Sequence, residues 1–212
     1  MLTLLFLYIV CLFLTTCNAI VLGMKYSFRT QNYLAIYLFV TFFLETYGFV
    51  KTCLQEQDFA IYFNLYSIFS ILFFCFYFSK IFFINLKKIL FITTFIILLY
   101  IFIFIDFLST DFVISLGLIV AIFYIFNSLL WFNQKFKLPV KDKITNDPNF
   151  WIATALLLWS TYIIFRISPM YLFQKEDSYF LAILKKISSV VNIIMYSLFF
   201  IGLEKYKYLI KK

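Results

Sequence analysis

The stretch KILFITTFIILLYIFIFIDFL, Lys88–Leu108, carries no charged side chain between its first residue and Asp106. A run of about 20 apolar residues, wound at about 1.5 Å per residue, matches the roughly 30 Å hydrocarbon thickness of a bilayer. Lipid offers the backbone no hydrogen-bond partner, so such a run reads as a helix that satisfies its own amides. Working outward, the same pattern recurs at Leu2–Leu22, Asn32–Cys53 and Phe59–Lys80 before it, and at Phe112–Phe132, Phe150–Pro169 and Tyr179–Leu203 after it. The alternating pattern of a membrane β-barrel is absent. The sequence therefore predicts an all-α, polytopic membrane protein: a bundle of seven transmembrane helices, one domain over residues 1–212.

Composition agrees with that class. The chain is 65% hydrophobic and 24% aromatic, and only 13% of its residues are charged. Soluble domains carry about a quarter charged residues, and a chain this poor in them cannot cover a soluble surface. Leu2–Leu22 is read as a span rather than a signal peptide, because no positive segment precedes it. The four cysteines, Cys11, Cys17, Cys53 and Cys75, lie in or beside spans without CxxC spacing, and read as small packing residues.

Lysine and arginine set the expected orientation. Lys25 and Arg29, then Lys80, Lys87 and Lys88, then Lys135, Lys137, Lys141 and Lys143, and finally Lys205, Lys207, Lys211 and Lys212 all fall on one side. The other side has Lys51, Arg166, Lys175, Lys185 and Lys186, together with acids such as Glu56, Asp58, Glu176 and Asp177. This predicts an inner-membrane protein with its N-terminus outside and its C-terminus in the cytoplasm. The net charge of +8 is thereby assigned to membrane orientation and contact with anionic headgroups, and no nucleic-acid partner is expected.

Several chemistries are excluded. Histidine is absent, which removes the commonest general base and metal ligand. Asp, Glu and Cys do not cluster at ligand spacing, so neither metal nor cofactor is expected. There is no GxSxG motif or phosphate-binding glycine loop. The longest connection, about Asn133 to Asn149, is too short for a soluble catalytic domain. Within it, NDPNFW reads as a helix start, with Asp147 as cap and Pro148 in the first turn, while Pro169 is expected to end the sixth span. Broken spans and internal repeats of transporter type are not found.

What remains are polar side chains inside apolar runs, which default to functional hypotheses. Glu45 sits in FFLETYGFV, Phe42–Val50, on a stripe with Tyr37, Thr41 and Gly48. Asn64 and Ser67 lie in the third span. Trp159, Tyr162 and Arg166 share a face of the sixth, and Lys185, Ser188, Ser189, Asn192 and Tyr196 share one of the seventh. The alternating direction of the spans puts Glu45, Asn64, Arg166 and Lys185 at one outer level. A polar pocket open to the exterior is expected there, with Glu45, Asn64, Tyr162, Arg166, Lys185, Ser189 and Asn192 as its ligand-binding residues. Burial disfavours charge on a lone carboxyl, so a base is expected within about 4–6 Å of Glu45, Lys185 first and Arg166 second. The bland alternative is that Arg166 snorkels and Glu45 only docks two helices. Trp131 and Trp151 fit an aromatic belt at the inner ends of spans, whereas Trp159, near mid-span, is expected to face the bundle and find a partner for its indole N–H.

The stretches YFNLYSIFSILFFCFYF (Tyr62–Phe78), DPNFWIATALLLWSTY (Asp147–Tyr162) and VVNIIMYSLFFIGLE (Val190–Glu204) resemble segments of uncharacterised bacterial seven-helix membrane proteins and of the seven-helix sensor regions of some membrane histidine kinases. The resemblance implies a seven-helix bundle and a sensing role. No kinase portion lies within the 212 residues. The expected function is thus a non-enzymatic sensor or signalling subunit, with a small or lipidic ligand in the outer pocket. Besides membrane lipids it would have a protein partner, in the membrane or cytoplasm, at its basic face. A channel, transporter subunit or membrane-disrupting defence effector is the first rival; against it, Asn18 and Asn127 are the only strongly polar side chains expected in the inner half of the spans. A lipid-modifying enzyme using Glu45 is the second.

Overall fold

The computed structural model describes residues 2–26, 30–54, 60–137, 143–173 and 178–211. Seven helices order the chain: α1 (Leu2–Tyr26), α2 (Leu34–Cys53), α3 (Ala60–Ser79), α4 (Ile84–Phe104), α5 (Ile114–Phe136), α6 (Pro148–Phe173) and α7 (Ser178–Lys211). Short 3₁₀ turns at Thr30–Tyr33 and Ile144–Asn146 precede α2 and α6. No strand occurs among the described residues. All seven helices are long and apolar enough to cross a membrane, and the molecule is an all-α, multi-pass membrane bundle. Because the helices alternate in direction, one end of it holds the starts of α1, α3, α5 and α7. This is called the Leu2 end below, and the opposite one the Lys211 end.

Several boundaries differ from the sequence reading: α1, α5 and α7 run on to Tyr26, Phe136 and Lys211 rather than ending at Leu22, Phe132 and Leu203. The fourth helix spans Ile84–Phe104 rather than Lys88–Leu108. Lys87 and Lys88 are accepted in its first turns, and residues 105–113 are drawn out into a loop. Asn64 explains the second half of this shift. Fully buried on α3, it donates from Nδ2 to the carbonyls of Ser109 (3.2 Å) and Asp111 (3.0 Å) and accepts from the Val113 amide (3.0 Å). The helix α6 also runs on to Phe173 instead of ending at Pro169. A membrane helix tolerates an internal proline at the loss of one backbone bond. At its other end α6 begins at Pro148 as expected, with Asp147 Oδ1 accepting from the Asn149 amide at 2.9 Å.

The Lys211 end is tied by polar side chains. Asn149 Oδ1 accepts from Gln31 Nε2 (2.6 Å) and from the Tyr77 hydroxyl (2.9 Å), while its Nδ2 donates to Asp147 (3.0 Å). Asp147 in turn pairs with Lys135 at 2.6 Å. Gln134 accepts from the Phe83 amide (3.0 Å) and donates to the Ile81 carbonyl (3.2 Å), which fixes the α3–α4 turn. Here too α7 packs closely on the start of α6. A methyl group added at Gly202 would come within 3.1 Å of the Pro148 carbonyl oxygen, so glycine is what allows the approach.

The core is aromatic. The Tyr37 ring lies edge-on to Phe74 (centroids 4.8 Å), which lies edge-on to Tyr124 (4.9 Å). Such edge-to-face pairs add about 0.5–1.5 kcal/mol beyond the area they bury. Trp131 belongs to this interior: it is 0% exposed, so it is not a belt residue. Its ring packs edge-on to Phe132, with the Lys135 ammonium 5.7 Å from its centroid. Trp151 keeps the expected edge position and donates from its indole to the Thr145 carbonyl (2.9 Å). Outermost is α4, which buries only Leu90, Thr94 and Ile101 and turns the rest of its apolar surface outward, as a lipid-facing helix does.

Candidate functional site

A cavity of about 450 Å³ lies in the Leu2 half of the bundle. Its size falls in the usual range of small-molecule sites, about 300–1,000 Å³. Five helices build it. Helix α2 contributes Tyr37 and Glu45, and α3 contributes Ala60, Phe63, Tyr66, Ser67 and Ser70. Phe112 in the preceding loop joins Ile114, Gly117, Val120 and Tyr124 of α5. From α6 come Trp159, Ile163, Arg166 and Ile167, and from α7 Ser188, Asn192, Met195 and Tyr196. Neither α1 nor α4 supplies a wall. The lining is mostly apolar, with a few polar groups converging on it, as a site that orients a ligand requires.

Three of the seven residues picked from the sequence line this space: Glu45, Arg166 and Asn192. Asn192 Oδ1 accepts from Trp159 Nε1 at 3.0 Å, which gives the mid-span indole its expected partner. Arg166 donates from Nη1 to the Ser188 hydroxyl (2.9 Å), and this bond joins α6 to α7 across the cavity wall. Its Nε is buried and has no acceptor among the described residues.

The other four sit elsewhere. Asn64 is turned to the α4–α5 loop, as described above. Tyr162 donates to the Leu184 carbonyl (2.7 Å) and docks α6 on α7. Ser189 bonds back to the Lys185 carbonyl within its own helix (3.3 Å). Lys185 is exposed, and this overturns the expected Glu45–Lys185 pair. A lysine on the pocket's azimuth, but two turns nearer the helix end, can carry its ammonium out of the bundle on a flexible stem.

The partner of Glu45 is Tyr8. The buried Tyr8 hydroxyl, on α1, donates to Glu45 Oε2. Arg166 is not its partner either, since no ion pair to Glu45 occurs among the described residues. Tyr8 also stacks on Tyr196 (centroids 6.2 Å, 17° between planes), so it touches the carboxyl and a cavity wall at once. A second hydroxyl group lies at the cavity floor. Tyr66 and Thr41 share a hydrogen bond at 2.8 Å, and the rings of Tyr37 and Tyr66 stack with centroids 6.1 Å apart.

Tyr8, Tyr66 and Tyr124 were not singled out from the sequence. A signal existed: a tyrosine inside an apolar run needs a partner for its hydroxyl. With 16 tyrosines in the chain, that signal does not discriminate.

Below the floor, α5 continues the polar line. Tyr124, Asn127, Ser128, Trp131 and Gln134 follow at helical spacing toward the Lys211 end, and all are buried. This half of the bundle is more polar than the sequence suggested. Asn127 Oδ1, Ser128 Oγ and Trp131 Nε1 have no hydrogen-bond partner among the described residues. No protein-family model, curated protein or solved structure matches this chain; by its own structure it is a multi-pass membrane bundle with a mostly apolar cavity into which a few polar groups converge.

Proposed function

We propose that the protein is a membrane receptor or signalling subunit. A small amphipathic molecule occupies the cavity from the outer side, and α7 carries the occupancy to a partner at the basic, cytoplasmic end. The observation that supports this reading is the span of α7. This helix places Ser188, Asn192, Met195 and Tyr196 in the cavity wall, then runs without a break to Lys211. Its 34 residues amount to about 51 Å, longer than the hydrocarbon core.

Gly117 provides the test. A methyl group there meets only ordinary contacts, 3.5 Å to Phe112 and 3.8 Å to Ile167, so a leucine can extend into the cavity as a surrogate occupant. Gly117→Leu should change hydrogen–deuterium exchange at the amides of Leu203–Ile210 and leave α4 as in the wild type. Unchanged exchange at 203–210 would remove the support for signalling through α7.

A transport reading is second, favoured by the unpartnered polar groups of α5 beneath the cavity. It expects proton flux in liposomes under a membrane potential, lost in Asn127→Leu. Flux no higher than in empty liposomes would end that reading.

A further inference from the structure

We propose that the cavity selects an amphiphile with an anionic headgroup, held by Arg166 and Ser188 with its chain against the apolar walls. The proposal rests on the receptor reading's premise that the cavity takes a ligand, and it adds the ligand's class.

Arg166 carries the argument. A guanidinium has five N–H donors in a fixed fork and is charged at every physiological pH. Here Nη1 is used on Ser188 (2.9 Å) and Nε is buried without an acceptor. No carboxylate pairs with Arg166 among the described residues. A half-buried cation whose Nε is buried without an acceptor is partly desolvated, and an incoming anion relieves that cost with charge-assisted, fork-shaped hydrogen bonds. Ser188 adds a hydroxyl beside the same headgroup position.

The other carboxyl on the cavity wall does not supply the missing counter-ion. Glu45 is engaged by Tyr8 from α1, a helix that contributes no wall. Near Arg166 the lining is hydrocarbon: Ile163 and Ile167 lie one turn or less away on the same helix, and Phe63, Phe112 and Met195 also face the space. One cationic fork beside an apolar chamber fits a carboxylate or phosphate on an aliphatic chain better than a sugar, a metal ion or a cationic amphiphile.

The experiment uses the purified full chain in a neutral detergent and four probes of equal chain length: dodecanoate, dodecyl phosphate, dodecanol and dodecylamine. Dodecanoate should raise the melting temperature most, and dodecyl phosphate should do likewise if the headgroup charge is what counts. Arg166→Gln should weaken dodecanoate binding about tenfold or more, the loss expected of a hydrogen bond to a charged group, and leave dodecanol unaffected. Arg166→Lys should keep part of the preference, because the charge remains without the fork. Should Arg166→Gln not fold, Ser188→Ala serves in its place, with a smaller loss confined to the anionic probes. Equal shifts for dodecanoate and dodecanol would overturn the proposal, as would a dodecanoate shift undiminished in Arg166→Gln or the largest shift with dodecylamine. Dodecanol binding that Gly117→Leu abolishes, without anion preference, would refute the headgroup assignment while leaving the receptor reading intact.

Discussion

Asn64→Leu should lower the unfolding free energy in detergent by about 3 kcal/mol or more. Leucine keeps the branched outline of asparagine but is larger, so the change removes the hydrogen bonds and crowds the buried site as well. Two donated bonds and one accepted bond, all at 3.0–3.2 Å, disappear together. Each contributes about 0.5–1.5 kcal/mol, and a buried group left without a partner costs about 1–3 kcal/mol. Thermal or denaturant unfolding of the purified protein measures the loss. The same change should weaken ligand binding, because Phe112 of the released segment lines the cavity, as does Ile114 at the start of α5. A loss under about 1 kcal/mol, the size of one ordinary hydrogen bond, would show that residues 105–113 hold their course without Asn64.

The Tyr8–Glu45 contact should give the second large effect. Tyr8→Phe keeps the ring against Tyr196 and deletes only the donor to the carboxyl. A buried carboxyl oxygen left without its donor costs about 1–3 kcal/mol, so a loss of that size is expected. Glu45→Gln should cost less, since its amide oxygen still accepts from Tyr8. Joined in one protein, the two changes should fall short of their sum by about 1 kcal/mol or more, as expected of residues in contact. Additivity within about 0.5 kcal/mol would show that they act independently. Lys185→Met, by contrast, should be silent in the Glu45→Gln background.

These two sites mark where the sequence was informative. The seven helices were legible because a bilayer demands runs of about 20 apolar residues and leaves no other way to satisfy the backbone. Depth was legible too, since a helix advances about 1.5 Å per residue. Glu45 and Arg166 do line one cavity at the Leu2 end. Direction around the helix axis was the weak coordinate. Asn64 and Glu45 lie near the same end, yet one faces a loop and the other a cavity, and nothing in FNLYS or LETYG separates the two outcomes. Lys185 failed for another reason: its position on the helix was read correctly, but a long side chain is not bound to follow the face from which it starts. Tyr8 was missed because a hydroxyl on an aromatic ring counts as apolar in any composition-based reading, although it is the group that meets the buried carboxyl.

The close approach of Gly202 to the Pro148 carbonyl gives α7 a fulcrum. From it, the arm reaching the cavity at Ser188 is about 21 Å long, and the arm ending at Lys211 about 13 Å. Any tilt about this point is therefore geared down: a movement of about 1.5 Å at Ser188 emerges as about 1 Å at Lys211 if the helix stays rigid. A lever of these proportions trades travel for force. Its output is a small displacement at the Lys211 end rather than a long sweep.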